Sequence, residues 1–289
     1  MRSDIELLRI IAAFGIVWFH SGYAYGRDLA YAGLVVFLIL STYFSTKSLR
    51  THSLGERALR LIVPCILWSA LYGAINFMRN EPIFPSNYSL FSKILVTPSI
   101  HLWYLPFVFF CIIFIDKVKQ YIDSKTLAIF TAIVASTLLL ISPQWRQWEY
   151  VVPLGQYIHA LPAILIGMLL ALSQQLSSSM KYLLIGLVFL SAIYIFWVQI
   201  AGVSVTYLVG ISGTLLLLKD KSILPKNNVI IELSRLTFGI FLVHPLIIFV
   251  LRHIGFNSIL LPVLSFIASA ICIYTVFKVT PKPILKYVV

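Results

Sequence analysis

The chain is short of charge. Of its 289 residues only 11% are Asp, Glu, Lys or Arg, and just 10 are acidic. Soluble domains carry about 25% charged residues, so the composition excludes an ordinary water-soluble globule. Cysteine is equally scarce. Cys65, Cys111 and Cys272 each lie in an apolar run, without metal-ligand spacing and without a disulfide framework. They read as small apolar packing residues, and no metal is expected. The chain also lacks an internal repeat and any separate soluble segment, so one membrane domain over 1–289 is expected. A concentrated basic region is missing too. The net charge is +12, but the 22 Lys and Arg stand singly between apolar runs. That pattern offers no footprint for nucleic acid.

What the chain has is hydrocarbon. Hydrophobic residues make up 60%, and the mean hydropathy is +0.95. At roughly 20 residues per crossing there is room for many spans. About ten helices are expected, at 4–22, 29–46, 57–78, 101–122, 126–142, 157–173, 181–200, 203–218, 229–252 and 258–278. Pro82, Pro85, Pro98, Pro143, Pro153 and Pro225 punctuate them. The fold class is therefore all-α, a polytopic membrane bundle. Arg2, the apolar run and small residues near Ala24 loosely resemble a signal peptide, but Asp4, Glu6 and Arg9 interrupt the pattern. The segment is kept as the first span.

Orientation follows from the basic residues. With the N-terminus inside, fifteen Lys and Arg fall on the cytoplasmic side: Arg2, Lys47, Arg50, Arg57, Arg60, Lys117, Lys119, Lys125, Lys181, Lys219, Lys221, Lys226, Lys278, Lys282 and Lys286. Arg27, Arg79, Lys93, Arg146 and Arg252 fall outside, and Arg9 and Arg235 lie within spans. The asymmetry places both termini in the cytoplasm.

Polar residues inside the apolar runs carry the functional signal. In DIELLRIIAAFGIVWFH, eleven steps separate Arg9 from His20. On a helix that is almost three turns, which puts both on one face, about 20° apart and roughly 16 Å along the axis. Arg57 and Arg60 open the third span on one face, and Arg235 lies two turns into the ninth. Arginine forks match phosphate oxygens, although Arg57 and Arg60 could instead snorkel to lipid phosphates, and Arg235 could pair with Glu232. His20, His101, His159 and His244 fall toward the outer half, while His52 and His253 lie in loops. A phosphate anchor inside and a histidine outside suit a long phosphorylated thioester carrier. Ala12, Ala13 and Gly15 between them either leave room for its arm or let helices pack closely, and packing is the stronger reading.

These residues resemble acyltransferase family 3, the integral-membrane O-acyltransferases of the bacterial surface-glycan type. The family's first span carries Arg, ten residues, then His, as Arg9 and His20 do. Its third span opens with paired arginines and then a proline, here Arg57, Arg60 and Pro64. Its fourth opens with a motif that stands intact as HLWYL at 101–105. Its late Ser-to-His-Pro segment is SRLTFGIFLVHP at 234–245. The second-span motif is only half present: Ser41 and Tyr43 match, Thr42 replaces a glycine and Leu38 an aromatic. The SGNH-type hydrolase domain of some relatives is not seen.

The resemblance implies an acyl-CoA-dependent O-acyltransferase that moves an acyl group, usually acetyl from acetyl-CoA, to a hydroxyl of an extracytoplasmic glycan or lipid-linked sugar. The setting would be the bilayer of a bacterial inner membrane. Arg57 and Arg60 would hold the CoA phosphates, with Arg9 and Arg235. His20 would be the general base, Arg9 its partner in catalysis. His101, Trp103, Tyr104, Ser41 and His244 would contact substrate. Asp28 and Glu149 are the outer-side carboxylates that could orient His20. A homo-oligomer is left open. The competing class is a secondary transporter or exporter of a small anionic or acylated solute, which would usually show an internal repeat.

Overall fold

The computed structural model describes residues 2–22, 25–48, 53–84, 88–218 and 222–281. Ala24, Arg50, His52, Pro85, Lys219, Lys221, Lys282 and Lys286, used above, lie outside the described residues. Among the described residues the chain is helical and has no strand.

The helices are α1 Ser3–His20, α2 Arg27–Lys47, α3 Leu54–Met78, α4 Leu90–Val96, α5 Tyr104–Val118, α6 Ser124–Leu140, α7 Ser142–Trp145, α8 Leu154–Leu172, α9 Ser178–Val198, α10 Ser204–Leu217, α11 Asn228–Arg235, α12 Thr237–His253 and α13 Leu261–Val279. A 3-10 turn, Ile100–Trp103, leads into α5. Every expected segment is helical, with two short additions, α4 and α7. The ninth segment differs most. It breaks at Leu236 into α11 and α12, bent by 54°. The cause is local: at the break the Thr237 hydroxyl donates to the Ser234 carbonyl at 2.7 Å. Hydroxyls inserted into the backbone ladder bend helices.

Six stretches are long and apolar enough to cross a bilayer: α2, α3, α5 with its leading turn, α8, α9 and α13. The bent pair α11 and α12 would make a seventh. α6 and α10 are apolar but only 17 and 14 residues long, and α1 carries Asp4, Glu6 and Arg9 within its 18. Phe77, Met78, Phe114 and Trp197 are largely exposed on such helices, an arrangement that suits hydrocarbon rather than water.

Capping sets several starts. Ser53 and Glu56 form a reciprocal capping box on α3. Asp123 caps α6 through the N–H groups of Lys125 and Thr126, 3.0 Å each. Bonding from the Thr126 side chain and these backbone groups holds its carboxyl below the usual range.

The described residues divide into two compact units, 2–40 with 189–281, and 41–188. In the first, α1 packs on α10, α11, α12 and α13, and α12 on α13. Glycine fixes the α1–α2 approach: a Cβ on Gly15 would meet the Ala30 carbonyl oxygen, and one on Gly33 that of Ala12. The small residues of α1 thus pack against α2. In the second unit, α3 packs on α5 and α6 on α8. Ala128, Ala132 and Ala135 on α6 and Ala160, Ala163, Gly167 and Ala171 on α8 recur at helical spacing and are buried. Small faces of this kind let two apolar helices approach without a water-driven force between them.

Candidate functional site

In the first unit, α1 runs unbroken from Ser3 to His20, so Arg9 and His20 do share a helix face. Their surroundings differ. Near the start of α1, one Arg9 nitrogen meets both oxygens of Glu6, at 3.2 and 3.0 Å. Glu6 also takes the Ser234 hydroxyl at 2.5 Å. Asp4 takes Arg2 and the N–H groups of Ile5 and Ile223. The sequence places Asp4 and Glu6 at a surface turn; both are buried instead, at 1% and 4% exposure. Carboxylates survive burial only when paired and hydrogen-bonded, and these are. Arg235, at the end of α11, pairs with Glu232 at 2.7 Å, and both are exposed.

At the other end of α1, His20 is half-buried. Its ring lies 5.1 Å from the His244 ring, tilted by 51°. His244 of α12 is fully buried. Its Nδ1 is 2.8 Å from the Phe241 carbonyl oxygen and 3.2 Å from that of Ile240. The guanidinium of Arg27 lies over the Phe19 ring at 4.8 Å, Tyr31 stacks on that ring at 4.2 Å, and Arg252 donates to the Ser21 carbonyl. Of the expected orienting carboxylates, Asp28 is exposed at the start of α2, where its backbone carbonyl takes the Thr206 hydroxyl, and Glu149 is exposed in the second unit.

In the second unit, Arg57 forms an ion pair with Asp116 of α5. Its side chain is 11% exposed and that of Asp116 27%. Arg60 stands exposed one turn later. One turn beyond Asp116, Lys119 donates to the Thr46 carbonyl at the end of α2, at 2.6 Å. Nearby along α2, the Tyr43 hydroxyl takes Gln174 at 2.6 Å and Lys47 at 3.3 Å. The ends of α2, α5 and α8 and the start of α3 therefore carry Lys47, Lys119, Gln174, Arg57 and Arg60.

The HLWYL block lies in the same unit. His101 is buried, bonded through Nδ1 to the Ser99 hydroxyl at 2.8 Å, with Tyr72 edge-on at 5.3 Å. Trp103 packs on Tyr157 and Phe107. Tyr104 and Ser41, both singled out in the sequence, bond hydroxyl to hydroxyl at 3.1 Å. His159 lies edge-on to Trp145. An apolar groove of about 470 Å³ lies elsewhere, between Ser69, Gly73 and Phe77 of α3 and Ile83, Phe84 and Pro98. None of the candidate residues lines it. Among the described residues no three His, Cys, Asp or Glu cluster as metal ligands.

The family model described as an acyltransferase domain matches residues 2–278. The chain belongs to acyltransferase family 3. Neither the curated proteins nor the solved structures give a match. With its apolar helices, this acyltransferase is a multi-pass integral membrane protein. Three partnerships in the family 3 chain escape the sequence reading. Glu6 with Arg9 was visible as an i, i+3 pair of opposite charge. Asp116 with Arg57 had no local signal. Ser234 was marked only as part of a motif, not as a partner of Glu6.

Proposed function

We propose that this family 3 acyltransferase moves an acyl group, acetyl by resemblance, from cytoplasmic acyl-CoA to a hydroxyl of an extracytoplasmic glycan or lipid-linked sugar. About ten helices would then cross the bacterial inner membrane, with both termini inside, the orientation that the distribution of Lys and Arg favours. In the second unit, Arg57 and Arg60 take the CoA phosphates, and Ser41, His101, Trp103 and Tyr104 contact substrate. In the first, Arg9 positions charge on the same helix as His20, and His20 is the general base. Arg235 is the weakest of the phosphate candidates, because Glu232 already neutralises it on an exposed face.

The observation that carries the reading is α1 itself: an unbroken helix that holds Arg9 at one end and a half-buried histidine at the other. A sugar hydroxyl is a poor nucleophile at neutral pH. His20 takes its proton as the oxygen bonds the acyl carbonyl carbon. The carbon–sulfur bond then breaks, and the leaving thiolate takes that proton back from His20. Ester and free CoA result, and His20 is restored.

Mass spectrometry of surface glycans from a deletion strain tests this. The strain should lose one acyl mass, regained with the wild-type chain and not with His20→Ala. An unchanged glycan and lipid-linked sugar pool would refute the acceptor class.

A further inference from the structure

Most arginines here are neutralised. Arg2, Arg9, Arg57, Arg79 and Arg235 each pair with a carboxylate. Among the described residues Arg27, Arg60, Arg146 and Arg252 do not. Arg60 and Arg146 belong to the second unit. Arg27 and Arg252 belong to the first, and both are held against the residues that flank His20.

Arg252, in the last turn of α12, donates through Nη2 to the carbonyl of Ser21, the residue after His20. Gly22 permits that approach. A Cβ there would come within 2.9 Å of the same nitrogen, and the φ of +69° also favours glycine. Arg27 opens α2 and lays its guanidinium over the ring of Phe19, the residue before His20, at 4.8 Å. Its charge also acts on His20 itself. Asp28, next in sequence, is exposed and pairs with neither arginine. A ring face and one backbone carbonyl do not neutralise two cations. The C-terminal end of the α1 dipole, about half a charge, offsets only part of them. Arginines that snorkel to lipid reach away from the bundle; these two are held against the end of α1.

We propose that the acceptor carries an anionic group, phosphate or carboxylate, beside the hydroxyl to be acylated, and that Arg27 and Arg252 bind it. This deepens the reading of His20 as the base and rests on it. A neutral sugar gains little from two unneutralised cations at that point. An oxyanion accepts charge-assisted hydrogen bonds from both, which sets the register of the acceptor against His20. The phosphate of a lipid-linked sugar and the carboxylate of an acidic sugar present the same kind of oxygen to the guanidinium fork.

The test uses the full-length protein in detergent, with radiolabelled acetyl-CoA and an extract of deletion-strain membranes as acceptor. Arg27→Gln and Arg252→Gln should each raise the KM for the extract roughly 10–100-fold, the worth of one charge-assisted hydrogen bond. The KM for acetyl-CoA and the heat protection given by CoA should stay unchanged, which shows that the variants fold. Arg27→Lys, which keeps the charge, should lose much less. The labelled product should bind an anion-exchange resin. Mild acid splits sugar–phosphate bonds, so it should free the label in a neutral sugar if the anion is a phosphate. The label should stay bound if the anion is a carboxylate. A product that never binds the resin, or an unchanged KM in both glutamine variants, would overturn the proposal and leave the base standing. So would a loss confined to kcat, which would make the arginines partners of the carbonyl oxygen instead. Equal loss in Arg27→Lys and Arg27→Gln would reduce Arg27 to packing on Phe19 and overturn it too. If His20→Ala stays active, the base reading itself fails.

Discussion

Arg9 and Arg57 both lie near the start of an apolar helix and both meet a carboxylate, yet the two pairs are built differently. Glu6 is one turn from Arg9 on the same helix, is buried, and also takes a hydroxyl from Ser234 of α11. Asp116 stands 59 positions from Arg57, on another helix, and its side chain is 27% exposed. The first pair belongs to a network that ties α1 to α11. The second joins α3 to α5 at an edge that a solute can reach. An arginine in the first setting is suited to holding a helix and its charge in place. One in the second can exchange a carboxylate for a phosphate, since both present oxygens to the same fork.

The largest expected effect lies at the far end of α1. His20→Ala should cut transfer on the order of 10²–10⁴-fold, the usual worth of general-base help. The variant should still fold and still be protected by CoA. Near-normal acylation would move the base elsewhere, with His101 next to be tried.

Asp116→Asn sharpens the contrast between the pairs. It strands a mostly buried guanidinium, so the ligand-free protein should lose about 1–3 kcal/mol of stability. CoA should then protect it more than it protects the wild type, because the phosphate no longer competes with a carboxylate. Equal protection in a thermal-shift titration would separate Arg57 from the donor.

Arg9→Lys is the mildest. The ammonium can still reach Glu6, so the unfolding temperature should hardly move. Transfer should fall roughly tenfold, the worth of one charge-assisted hydrogen bond, because a point charge cannot reproduce the planar fork. Full activity would leave Arg9 with the network role alone.

Much of this architecture is written in hydropathy. Apolar runs between prolines located each long helix, because burial in hydrocarbon depends on composition over some twenty residues. The break at Leu236 is not visible that way. It depends on a hydroxyl, that of Thr237, bonding one particular carbonyl inside a run that stays apolar. The site shows the same division. Arg9 and His20 follow from helical spacing alone. Ser41 and Tyr104 were each marked by motif, but their bond needs the fold. Asp116 was invisible, since its partner is set by how α3 crosses α5. His244 lies between these cases: the motif singles it out, but its contact with His20 is tertiary.

The central claim is a division of labour, with the donor held by the arginines of α3 and the proton moved by the histidine of α1. Protection of purified protein against heat by CoA measures it most directly. At a hundred times its dissociation constant, CoA should stabilise the wild type and His20→Ala alike by roughly 2.7 kcal/mol. The double variant Arg57→Ala, Arg60→Ala should fold and gain almost none of that protection. Undiminished protection in the double variant would contradict the account and leave those arginines as snorkelling residues at the membrane surface.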